Sequence, residues 1–93
     1  MPELTPALRR ELKARAHALD PVVIIGSGGL SAQVLAEIDR SLKSHELIKV
    51  RINAQRSERD AAFQEICRQT GAQAVQHIGK ILVLFRENSE HAR

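Results

Sequence analysis

Ninety-three residues, 43% hydrophobic and 27% charged, suit one domain with a modest core and leave no room for a second. No apolar run approaches the ~20 residues of a membrane span, no signal-peptide core opens the chain, which predicts a cytoplasmic protein, and a lone cysteine excludes an internal disulfide or cysteine metal cluster. The net charge of +3 lies wholly in residues 1–56, a mild bias toward a polyanionic partner, while two aromatic residues, Phe63 and Phe85, argue against base stacking on an aromatic platform.

Thr5-Pro6 opens the first helix as N-cap and first helical residue. Leu8, Leu12, Ala16 and Leu19 form its apolar stripe. Arg10, Lys13 and His17 lie opposite, with Arg9 beside them, and Asp20-Pro21 ends the helix. Val22 to Ile25 is apolar without alternation, which predicts a strand covered on both faces. Gly26-Ser27-Gly28-Gly29 follows at once. Ser31 then caps a second helix with a stripe of Val34, Leu35, Ile38 and Leu42.

Leu47 to Asn53 alternates, sending Ile48, Val50 and Ile52 one way and Lys49, Arg51 and Asn53 the other. Ser57 with Asp60 three residues on predicts the start of a third helix. Phe63, Ile66, Cys67 and Thr70 form its stripe, and Gly71 its C-cap. Gln73 to Ile78 reads as a strand, Gly79-Lys80 as a tight turn, and Ile81 to Phe85 as a central final strand. Residues 87–93 read as a frayed polar tail, which leaves a core of about 5–86. The order is α-β-α-β-α-β-β: an α/β fold with three helices and a mixed four-stranded sheet. Two β-α-β units predict parallel pairs, and the Gly79 turn an antiparallel hairpin.

A glycine-rich turn between strand and helix is a place to hold phosphate. Gly26-x-Gly28-x-x-Ser31 nearly matches a dinucleotide fingerprint, but Ser31 replaces its third glycine. The second strand also ends in Asn53-Ala54-Gln55, without the acidic residue that holds a ribose. Leu30 stands where a P-loop needs lysine, and the G-x-S-x-G hydrolase elbow is absent. None of His17, His45, His77 and His91 has metal-ligand spacing, and no nucleophile–base pair emerges, so neither cofactor, metal nor catalysis is expected. A plain tight turn is the simplest reading of the glycines. Three in four positions exceed what one turn requires, and bare backbone can approach a polynucleotide phosphate closely. Lys49 and Arg51 on one strand face, with Arg9, Arg10, Lys13 and Lys80, would extend such a surface.

The stretches LKARAHALDPVVIIGSGGL, VLAEIDRSLKSHELIKVRI and TGAQAVQHIGKILVLFR resemble the CRM domain in its stand-alone bacterial YhbY form. The resemblance implies a fold similar to the C-terminal domain of translation initiation factor 3. It also implies RNA binding through the G-x-x-G loop, here Gly26, Ser27, Gly28 and Gly29, and adjoining basic surface. Stand-alone bacterial members are associated with precursors of the large ribosomal subunit, so ribosomal RNA is the implied partner. Many members carry lysine inside the loop, where this chain has Ser27 and Gly28. That shifts the work to backbone amides and nearby Arg and Lys. The last strand commonly ends in Tyr-Arg, and here it is Phe85-Arg86. A KH domain also uses a GXXG loop, but between two helices rather than after a strand. A protein-interaction module and a small nucleotide-binding domain are the other readings open to the sequence.

Overall fold

A computed structural model describes residues 4–26 and 28–88. The elements are α1 (Pro6–Ala16), β1 (Pro21–Ile25), α2 (Ala32–His45), β2 (Leu47–Ile52), α3 (Arg56–Thr70), β3 (Gln73–Ile78) and β4 (Ile81–Phe85). Three of the helix ends follow the sequence chemistry. The Thr5 hydroxyl accepts from the Leu8 amide at 3.1 Å, and the Ser31 hydroxyl from that of Val34 at 3.1 Å. Gly71 closes α3 in the left-handed region at φ +77°, where a Cβ would be strained.

The sheet order is β1-β2-β4-β3. β1 runs parallel to β2, while β4 is antiparallel to both β2 and β3. The fold class matches the sequence expectation, and β4 is central. One detail differs: β2 and β3 are joined through a helix but do not pair. The β3–β4 hairpin folds back and slots β4 between them, because a continuous apolar strand gains most from two paired edges and two covered faces.

Helices cover the two faces unequally. α2 and α3 bury Val23, Ile25, Ile48, Val50, Ile52, Leu82 and Leu84 under Ile38, Leu42, Phe63 and Ile66. α1 packs on the other face with Leu12 and Ala16 against Leu47, Val75 and Val83. Each fully buried aliphatic side chain contributes about 1.5–3 kcal/mol, so the larger cluster dominates stability. The Cys67 thiol is half-buried on α3, and that burial pushes its pKa up. It is a packing residue held as the thiol.

Three further expectations are corrected. β1 is an edge strand covered on one face only, leaving Val22 and Ile24 exposed because α1 does not reach over them. The helix α3 begins at Arg56, with Gln55 at the N-cap and no side-chain cap. Ser57 therefore sits inside the first turn, and Asp60 turns instead to His77 Nδ1 at 3.0 Å. Leu19, read as part of the α1 stripe, lies beyond the helix and is partly exposed. Past β4, the Asn88 amide donates to the Glu46 carboxylate and its side chain to the Lys43 carbonyl. Residues 89–93, the rest of the polar tail, lie outside the described residues.

Candidate functional site

Parallel pairing of β1 and β2 brings their C-terminal ends together, and antiparallel β4 starts at the same end. The loop after β1, the turn Asn53–Gln55 after β2 and the turn Gly79-Lys80 before β4 therefore converge. Two backbone bonds lock them. The Asn53 amide donates to the Ile25 carbonyl at 3.1 Å, and the Ile52 amide to the Lys80 carbonyl at 2.9 Å. Within the loop the Gly29 amide donates to the Gly26 carbonyl at 3.0 Å, which closes a turn into α2.

Gly29 has φ +69°, so the turn itself asks for glycine there. Gly26 and Gly28 differ. Neither has a positive φ, and a Cβ on either would meet nothing within 4 Å. Neither backbone conformation nor packing explains glycine at these two positions. What their bareness provides is room for something outside the chain to reach the backbone. Just beyond, the first-turn amides of α2 lack intrahelical partners, apart from that of Val34, which Ser31 takes. Ser27 lies outside the described residues.

Between this loop and α3 opens a cleft of about 720 Å³, lined by Gly26, Gly29, Asn53, Gln55, Glu58 and Lys80, with Glu65 deeper on the α3 wall. Hydrogen bonds from Arg68 and then Gln69 hold the Glu65 carboxyl below its ordinary range, so it stays charged at neutral pH. Arg68 balances that charge, and the glycine loop and Lys80 are the groups in the cleft that suit an anion. The turn between β2 and α3 is braced from below. Arg59 donates through Nη1 to the Ala54 carbonyl at 2.8 Å and through Nε to His77 Nε2 at 3.3 Å.

The basic residues fall into two groups. Lys80 is exposed in the turn beside the loop, and Arg51 is exposed on the adjoining sheet face, its Nε donating to Asn53 Oδ1 at 3.4 Å. Lys49 lies two residues behind Arg51 on the same face, half-buried. The α1 group stands apart. Arg9 Nη1 donates to the carbonyls of Ala74 at 2.7 Å and Val75 at 2.9 Å, near the start of β3. In register, Ala74 opposes Leu84 and Leu84 opposes Ile48, four residues or roughly 13 Å from Ile52 at the loop end. Arg9 thus covers an edge of the sheet remote from the loop. Lys13 follows it on the same flank of α1 and Arg10 faces outward. The structure therefore joins Gly26, Gly28, Gly29, Lys80, Arg51 and Lys49, and separates Arg9, Arg10 and Lys13 from them.

Sequence reading missed Asn53 and Gln55 as parts of the site. Their signal was available in the predicted parallel pairing, which requires the residues after β2 to flank the loop after β1. Among the described residues, no group of three His, Cys, Asp or Glu side chains could hold a metal ion. No helix among them is long and apolar enough to cross a membrane.

The sequence profile of the CRS1 / YhbY (CRM) domain matches residues 4–86. An RNA-binding protein of Haemophilus influenzae is 45% identical over 91 residues, covering 97% of this chain and 92% of its own. A Pseudomonas aeruginosa protein named as a probable RNA-binding protein is 42% identical over 86 residues, covering 91% of this chain and 83% of its own. The solution structure of a hypothetical Staphylococcus aureus protein, put forward as an RNA binder, superposes with a TM-score of 0.82 at 32% identity, over 94% of this chain and 92% of that one.

Proposed function

The chain belongs to the CRS1 / YhbY (CRM) domain family, and on that footing we propose that it is a non-catalytic RNA-binding protein that holds backbone phosphate at the Gly26–Gly29 loop. The observation that carries this reading is the bareness of Gly26 and Gly28, which nothing in the fold demands. A phosphate there meets backbone amides at the start of α2 and the charge of Lys80, while Glu58 on the opposite wall favours the loop side. Arg51 and Lys49 extend the contact onto the sheet. Arg10 and Lys13 on α1 offer a second, separate set of phosphate contacts. Arg9 contributes there only if it leaves the β3 carbonyls.

Contact with ~4–5 phosphates should give a slope of log K against log[salt] of about −3 to −4. Titration of an unstructured RNA at several salt concentrations measures it. A flat dependence, or equal affinity for a nucleoside monophosphate, would point to a small-nucleotide pocket instead. The RNA we assign is ribosomal, in precursors of the large subunit, as the family resemblance implies. Crosslinking in lysate followed by sequencing should recover large-subunit ribosomal RNA above all other species. Recovery of proteins without RNA would overturn the reading in favour of an interaction module.

A further inference from the structure

Half of one sheet face is uncovered, and its side chains are unusual for a surface facing water. α1 packs over Leu47, Val75 and Val83, Ile81 is half-buried against that cluster, and the half nearest the glycine loop is otherwise exposed. Across that half runs one register row, Ile24, Arg51, Ile81 and Ile78, one residue from each strand. It spans three strand spacings, roughly 14 Å. Ile24 is 64% exposed and Ile78 51%. The next row back brings Pro21, Lys49, Val83 and Gln76 together. Neither row contains a carboxylate. Exposed isoleucines at both ends of a row, with half-buried Ile81 and the cation Arg51 between them, mark a surface that meets a partner.

We propose that this row is a platform for unpaired RNA. Riboses and base faces pack on Ile24, Ile81 and Ile78, while Arg51 and Lys49 neutralise the phosphates of a strand that continues from the glycine loop. The proposal rests on the RNA-binding reading above and adds to it the form of RNA recognised. Lys49 beside Arg51, with no carboxylate in either row, favours RNA over a protein as occupant. Arg51 stands inside the row, so a protein that buried the isoleucines would also have to desolvate its guanidinium and the nearby ammonium of Lys49. Protein interface centres accept arginine but are depleted of lysine, whereas a polyanion neutralises both. The platform also adjoins the loop directly, since Ile24 precedes Gly26 by two residues. A duplex stacks its base faces inside and cannot use the row. Isoleucines lack aromatic stacking, so each base gains less than on a ring, and with little sequence preference.

The test compares an oligouridylate with an RNA duplex of the same length, by fluorescence anisotropy at several salt concentrations. The pair Ile24→Ala and Ile78→Ala removes exposed side chains only, and melting checks the fold. The combined variant should lose about tenfold in affinity for the single strand, at unchanged salt slope, and keep its affinity for the duplex. Ile24→Tyr, a good strand residue, should raise single-strand affinity. Unchanged single-strand binding in the double variant overturns the platform, as does an equal loss on both RNAs. Sedimentation of a dimer that the double variant abolishes also overturns it, because the face then belongs to a second copy. Failure of the unmodified protein to bind either RNA with a salt-dependent slope instead removes the underlying function, and is read before any substitution.

Discussion

Arg86→Leu is expected to lower the unfolding free energy by about 2–3 kcal/mol. The guanidinium is 16% exposed and joins three elements at the end of the sheet away from the glycine loop. Its Nη1 donates to Asp39 Oδ1 on α2 at 2.6 Å and to the Thr70 carbonyl at the end of α3 at 2.7 Å. Its Nη2 donates to the Asp39 carbonyl at 3.2 Å. Leucine fills part of the volume and leaves these acceptors without their donor, which is the costly half of losing a hydrogen bond. The pH dependence carries a second signature. The hydrogen bond from Arg86, ahead of the Arg86 and Lys43 charges, holds the Asp39 carboxyl below its ordinary range against a smaller upward push from burial. A depressed folded pKa stabilises the native state above the unfolded value of about 3.9 and loses that contribution as pH falls through the folded one. The parent should therefore lose more stability than Arg86→Leu between pH 6 and 3, measured by urea unfolding. Equal losses would show that the pair is not coupled.

Arg86 also illustrates what a sequence withholds. It reads as the last residue before a polar tail, and its partners lie 16 and 47 positions away. The same holds for Asp60. Its spacing from Ser57 imitates a capping box, but its partner is His77 across α3 and β3, and tertiary contact overrides the local pattern. Glu46 is a third case. The end of α2 takes φ +63°, where glycine or asparagine is the usual residue. The strain is met by fixed partners: the Glu46 carbonyl accepts from the Arg86 amide and its carboxylate from that of Asn88.

Periodicity, by contrast, exposes what depends on neighbours in the chain. The alternation of Ile48, Val50 and Ile52 placed Lys49 and Arg51 on one face, and the structure puts Arg51 by the loop with Lys49 two residues behind it. Ser31 and Gly71 marked their helix ends because caps act within four residues. In β1 the pattern misled. An unbroken apolar run is what a doubly covered strand shows, but Val22 and Ile24 are apolar and exposed. Nothing in a single sequence separates isoleucine kept for a core from isoleucine kept for a partner. Arg9 shows the same limit on the polar side. Helical spacing gives its face, but not that its guanidinium is engaged by the Ala74 and Val75 carbonyls.

Gly28→Glu is expected to weaken RNA binding by more than tenfold, about 1.4 kcal/mol, with the fold intact. Gly28 is the position in the loop at which this test is clean. Its φ is not positive and a Cβ there meets nothing within 4 Å, so the variant should melt like the parent. Gly29, at φ +69°, would confound binding with backbone strain. A carboxylate at position 28 enters the space where the loop amides and Lys80 would meet phosphate. It opposes the anion by charge and obstructs its approach by bulk. Gly28→Lys separates the two effects. It adds comparable bulk with the opposite charge. It should bind as well as the parent or better, with a steeper salt slope. Folded Gly28→Glu that binds RNA like the parent would remove the loop from the interface. Equal weakening by both variants would leave the loop in contact with RNA and make close approach, not charge, the basis of its recognition.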